Sequence, residues 1–177
     1  MHLNRAVELS SVGLNAIGVL PNLISLQLHE VTDLHAPTFL NSVHQNENLI
    51  NLVNLSLAGS AGIDDAFAFF IILQCPNIHM LTLANVQGFT DYGLQIILTE
   101  CSLLHYLDIY GMKNITGSSF ACIPQHAHKL NFLVIEDFCN RRKEENLKAL
   151  LRLSPRVQVH RIHRWKTCEN FTCRLLQ

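Results

Sequence analysis

The sequence is short of charge: only 15% of its 177 residues are Asp, Glu, Lys or Arg, and the formal net charge is −1. A balance so close to neutral gives nucleic acid or an anionic membrane no whole-chain attraction, so neither is expected as a partner. Lysine and arginine are sparse before residue 141, and the run Arg141-Arg142-Lys143 is followed at once by Glu144-Glu145. Long apolar runs are missing as well. The longest, Ala66 to Leu73, falls far short of the roughly 18 residues of a membrane helix and reads as a buried helix. There is no G-x-x-x-x-G-K-S/T or G-x-G-x-x-G phosphate loop, and the N-terminus lacks the basic and then apolar order of a signal peptide. A cytoplasmic or nuclear location is therefore expected. There the six cysteines read as reduced thiols, and the sequons at Asn54, Asn114 and Asn170 as idle.

Leucine is what the chain has in excess, with 29 residues in a sequence that is 49% hydrophobic. This excludes disorder and suits one domain able to bury a core without a metal or disulfide staple. The leucines are periodic. An apolar residue, two variable ones, an apolar residue, one variable and another apolar recur as Leu23-Leu26-Leu28, Leu52-Leu55-Leu57, Ile78-Leu81-Leu83, Leu104-Leu107-Ile109 and Leu130-Leu133-Ile135. Weaker versions stand at Val7-Leu9 and Val157-Ile162. The middle residues Val7, Leu26, Leu55, Leu81, Leu107, Leu133 and position 160 are separated by 19, 29, 26, 26, 26 and 27 residues. Such spacings predict a leucine-rich-repeat array of about six units.

Within one unit the alternation turns Ile78, Leu81 and Leu83 inward and Met80, Thr82 and Ala84 outward, as in a short strand. Thr90 then caps a helix with Asp91 in its first turn, and Leu94, Ile97, Leu98 and Cys101 share one face of that helix. A projection by one period places Phe120 and Ile123, or Ala68 and Ile71, at equivalent sites. Pro124 is expected to shorten its helix. Cys75 and Cys101 read as small buried hydrophobes where helix meets strand. One extra residue is expected around Cys139 to Arg142, as a looser loop in the last unit. The expected architecture is α/β: a right-handed solenoid or horseshoe, with parallel strands on the concave side and helices on the convex side, that needs stacking to bury a shared core. The array takes residues 1–163, N-terminally incomplete, and a capping tail takes 164–177.

The segment from Cys75 to Cys101 resembles the cysteine-containing leucine-rich repeat of F-box proteins through Cys75, Leu81, Leu83, Phe89, Thr90, Asp91, Gly93 and Leu94. In the next unit the matching residues are Cys101, Leu107, Ile109, Ile115 and Thr116, with Gly117 and Ser119 in place of the usual aspartate and glycine. Ile63 and Asp65 keep a trace of the pattern one unit earlier. The family's second cysteine, after the strand, is replaced by Ser60, Val86, Met112 and Phe138. The resemblance implies the substrate-recognition part of a Skp-cullin-F-box ubiquitin ligase, a non-catalytic receptor that promotes ubiquitin-dependent degradation. The Skp adaptor and cullin enter as partners only if a longer form carries an F-box, because the repeat pattern here starts within a few residues of Met1. The alternative is a stand-alone interaction scaffold.

In a stacked array the outward strand residues align into columns that a partner can read. The early triplets, Ser25, Gln27, His29 and Asn54, Ser56, Ala58, are small or polar. The later ones bring Met80, Tyr106, Tyr110, Phe132 and Val134 to a surface that solvation alone would leave polar, with Asp108 and Glu136 as an acidic rim. Aromatic and methionine side chains are enriched at interface centres, so these seven residues are the expected binding face for a protein substrate. The tail, with Trp165, Phe171, Leu175 and Leu176, is the competing cover for that face. Other constellations are weaker. His160, His163, Cys168 and Cys173 lack the usual spacing of a zinc site, so no metal and no cofactor is expected. Asp64-Asp65 and Glu144-Glu145 diverge on a helix and suit capping better than catalysis. The histidines at 79, 105, 126 and 128 read as scattered over the repeat, solvated or hydrogen-bonded.

Overall fold

The computed structural model describes residues 2–4, 17, 20, 22–31, 49–137 and 141–162. The strands are β1 (His2–Asn4), β2 (Ser25–His29), β3 (Asn54–Ser56), β4 (Met80–Thr82), β5 (Tyr106–Asp108), β6 (Phe132–Glu136) and β7 (Gln158–Ile162). They form one sheet in chain order, every neighbouring pair parallel. The helices that lie wholly among the described residues are α1 (Asp65–Gln74), α2 (Asp91–Glu100) and α3 (Arg141–Leu153), with a 3₁₀ turn at Ser118–Cys122 between α2 and α3. Each helical element packs on the next in the same order. The fold is α/β, one parallel sheet with a helical layer against it.

The leucine ladder sets the register. Leu26 faces Leu55, then Leu81, Leu107 and Leu133 in adjoining strands, and all five are at most 2% exposed. Each such side chain, fully withdrawn from water, contributes about 2 kcal/mol. From the helical layer Ala68, Ile71, Leu94, Ile97, Leu98, Phe120, Ile123, Leu147 and Leu150 join the same core. The apolar run Ala66 to Leu73 is indeed helical, but it is not buried all round. Phe67, Ala68, Phe70 and Ile71 point inward, while Phe69 and Leu73 are exposed, because an outer helix turns only one stripe to the sheet.

Both ends depart from the sequence expectation. The first strand is His2–Asn4, with Leu3 opposite Leu28, rather than a strand centred on Val7; residue 7 itself lies outside the described residues. A three-residue edge strand held by backbone pairing leaves little periodic trace. At the other end Leu133 faces Val159, not position 160. The extra residue does exist, since Ser154 stands where Ala127 does one unit earlier, and Val157 where Leu130 does. It is removed again just before the strand: Leu130 is followed by Asn131 and then Phe132, whereas Val157 is followed directly by Gln158, which pairs with Phe132. The tail from 163 lies outside the described residues, and with it three of the four candidate zinc ligands.

Helix and strand meet at the cysteine position. The Cys75 and Cys101 amides donate to Ile71 and Ile97, each at 2.9 Å, and their carbonyls accept from Ile78 at 3.2 Å and Leu104 at 3.0 Å. The turn-closing bond recurs from Leu52 to Leu49, Leu130 to Ala127 and Val157 to Ser154. The site takes what fits a tight buried hinge. Burial pushes the Cys101 thiol up to about 12, with the Glu100 charge adding to it. Burial drives Cys75 upward as well, with Cys101 adding. Both stay protonated at neutral pH, the opposite of a nucleophilic cysteine. At Ser154 the same hinge holds a hydroxyl, fully buried and without a hydrogen-bond partner among the described residues. Ser154→Ala should therefore raise stability by about 1 kcal/mol, read as a higher urea midpoint at unchanged slope. A lower midpoint would show that the hydroxyl is satisfied after all.

Helix starts are clasped by the preceding unit. Thr90 is the N-cap of α2, as expected, and its hydroxyl accepts from the Tyr92 amide at 3.2 Å. The Asp65 carboxylate reaches across to accept from the Thr90 amide at 2.8 Å, the Thr90 hydroxyl at 2.6 Å and the Gly93 amide at 3.1 Å. Asp91 does the same one unit on, accepting from Thr116 at 2.6 Å, from the Gly117 and Ser119 amides at 3.1 Å, and from the Ser119 hydroxyl at 2.9 Å. A carboxylate there also complements the positive end of the next helix. With Pro124 unable to donate, the 3₁₀ turn is all the helix that this unit forms.

Candidate functional site

The alternation that buries the leucines turns the flanking side chains to the other face of the sheet. One row there runs Ser25, Asn54, Met80, Tyr106, Phe132, Gln158; the next runs Gln27, Ser56, Thr82, Asp108, Val134, His160. The candidate residues thus sit side by side on consecutive strands. Met80 and Phe132 are 44% and 39% exposed, so two large apolar side chains lie open to water at matching positions on either side of half-buried Tyr106. The Phe132 ring contacts His160, with centroids 6.1 Å apart. Tyr110 and Glu136, half-buried, follow on the next row, where Glu136 faces Ile162.

Val134 needs correction. It lies on the predicted face, yet it is 7% exposed and hence floor rather than contact, because Asp108 and His160 flank it from the neighbouring strands. Glu136 is also less available than a rim residue. The half-buried Lys143 ammonium, which desolvation weakens, is supported by the charges of Asp91 and Glu136.

Asp108 is the most unusual member. Its Oδ1 accepts from the Tyr110 amide at 2.9 Å. Burial raises its carboxyl above the ordinary range and outweighs that one bond. Burial likewise raises the Tyr106 phenol, with the nearby Asp108 charge adding.

At the edge where the strands begin, sequence reasoning missed an ordered pair. His79 and His105 occupy the same repeat offset, not scattered ones, and their rings stack with centroids 5.2 Å apart and planes within 8°. Each Nδ1 is hydrogen-bonded to the carbonyl two residues back, Asn77 at 2.7 Å and Leu103 at 2.6 Å. Their own carbonyls are bound by the next strand: His79 accepts from His105 at 2.8 Å and Tyr106 at 3.1 Å, and His105 from Asn131 at 2.9 Å and Phe132 at 3.0 Å. The backbone carbonyls at these positions hold the entry of Tyr106 and Phe132 into the sheet, as that of Val53 does for Met80. The matching distance of the two histidines from the strand leucines was the available clue.

The far edge is closed differently. Arg161 faces Ile135 and forms a two-point pair with Glu144 at 3.1 Å, with Asp137 at 3.8 Å. A charged side chain here blunts an edge strand. On the helical layer, exposed Phe69 and Tyr92 border a groove with Ile72 and Ile96, and Leu73 is exposed as well. Among the described residues no group of three or more His, Cys, Asp or Glu is placed to hold a metal ion. None of their helices is long and apolar enough to cross a membrane. In comparisons with known proteins, the chain matches no family model and no curated protein.

Proposed function

We infer that the chain is a leucine-rich-repeat solenoid, right-handed and horseshoe-like, that binds a protein on the concave face of its sheet. The observation that carries this reading is the row Met80, Tyr106 and Phe132, in which two large apolar side chains lie open to water on either side of a half-buried aromatic ring, where solvation alone would select polar side chains. The 26-residue register of five successive core positions from Leu55 to Val159 supports the solenoid, since it stacks equivalent units on a shared core. A non-catalytic role fits the protonated thiols of Cys75 and Cys101. The cysteine-containing repeat type favours a substrate receptor of a Skp-cullin-F-box ubiquitin ligase, acting in the cytoplasm or nucleus.

Replacement of Tyr106 and Phe132 together by alanine should lower partner capture by the full chain at least about tenfold, as loss of central aromatic anchors does. Circular dichroism and the urea midpoint verify the fold. Undiminished capture by a folded double variant would sink the binding-face reading. The ligase link is tested separately, by recovery of the Skp adaptor and a cullin with the longest natural form; failure there leaves a plain scaffold.

A further inference from the structure

We propose that the sheet face receives an extended segment of a partner protein that sets a lysine or arginine on Asp108 and an apolar side chain across Met80, Tyr106 and Phe132. The proposal rests on the reading of this face as the contact surface and adds the chemistry of what binds there.

The carboxylates of Asp65, Asp91 and Asp108 differ in what satisfies them. Asp65 accepts three hydrogen bonds and Asp91 four, each of them closing a helix start. Asp108 is withdrawn from water to a similar degree but, among the described residues, accepts one, from Tyr110. Cationic partners go elsewhere: Arg161 to Glu144 and Asp137, Arg141 to Glu145. No described arginine or lysine lies within ion-pair distance of Asp108. A half-desolvated carboxylate with so little compensation is costly in isolation and rewards a cation brought from outside.

The surroundings select the cation. None of the three outward columns of strand residues holds a lysine or arginine, whereas Asp108 and Glu136 are acidic. Tyr106 precedes Asp108 and Tyr110 follows it, so an aromatic ring stands on each side of the charge. Guanidinium groups favour such a setting, because they stack on aromatic faces while pairing with a carboxylate. Arginine should therefore be preferred to lysine.

Spacing selects the form of the segment. Asp108 lies two residues beyond Tyr106 on one strand, about 7 Å at the rise of an extended chain. An extended partner presents alternate side chains on one side at that same spacing. The expected recognition element is thus a basic residue, one spacer and an apolar residue, in either direction.

A random dodecapeptide library displayed on phage, selected on the immobilised full chain, tests this. Selected peptides should carry Arg or Lys two positions from a large apolar residue. Their affinity should fall about tenfold on Asp108→Asn, which keeps the acceptor for Tyr110 and removes only the charge, and should weaken with added salt. Peptides that need Tyr106 and Phe132 but show no basic preference and no response to Asp108→Asn would overturn the proposal and leave the binding-face reading intact. If no selected peptide depends on Tyr106 or Phe132, as when the chain's own residues 163–177 fill the face, both fall together.

Discussion

Asp91→Asn should cost about 2–3 kcal/mol of unfolding free energy, a large share of what a domain of this size has to lose. The wild-type carboxylate divides its acceptors: Oδ2 takes the Thr116 amide, and Oδ1 takes Gly117, Ser119 and the Ser119 hydroxyl. An amide in its place keeps one oxygen. Its NH₂ then meets either the Thr116 donor or the cluster at Gly117 and Ser119, so one side always sets donor against donor. The charge that favours the start of the next helical turn is lost too. The pH response identifies the cause. Burial would raise the Asp91 carboxyl, but the bonds from Thr116 and Ser119 prevail and hold it below the ordinary carboxylate value. The unfolded chain therefore takes up its proton first as pH falls. This part of the stability is present in full above about pH 4 and lost as acid titrates the folded group below that. The asparagine side chain of the variant cannot titrate in this way. Urea midpoints from pH 7 to pH 3 should show a smaller acid loss for the variant, and parallel curves would assign the stabilisation elsewhere.

Gly93→Ala should destabilise by about 2 kcal/mol, although alanine is the better helix former by about 1 kcal/mol in an exposed helix. The position is buried at the start of α2, and an added Cβ would collide with Asp65 Oδ1 while pressing at 3.0 Å on the Asp65 Cα. Relief by side-chain rotation would break the bonds to Thr90 and Gly93. The coupling can be isolated. In Asp65→Ala the clasp is already gone and much of the obstruction with it, so adding Gly93→Ala should cost distinctly less than it does in the wild-type chain. Additive losses would mean that the glycine is required for another reason.

The strand ladder was legible because the central positions from Leu26 to Leu133 are buried almost completely, and such burial admits only apolar side chains. Leu26, Leu55, Leu81, Leu107 and Leu133 left a trace that local patterning recovers. Val159 did not, since the shift that restores its register is a single residue between Val157 and Gln158, too small to distinguish from a continued offset. The carboxylates were half legible. The periodic spacing of Asp65 and Asp91 pointed to helix starts, but the amides they hold belong to the following unit, beyond any local window. For the candidate face, alternation placed Met80, Tyr106 and Phe132 on the correct side. The covering of Val134 depends on what two other strands contribute, and no single strand reports that. The His79 and His105 stack was visible as a spacing and invisible as a contact.

The carboxylate clasps also give the molecule a direction. Asp65 serves Thr90 and Gly93, Asp91 serves Thr116 to Ser119, and in both the acceptor precedes its donors along the chain. During synthesis, which proceeds from the N-terminus, each acceptor leaves the ribosome before the segment it will grip. A finished unit thus holds out a template for the one still emerging, and the order of translation matches the order of assembly.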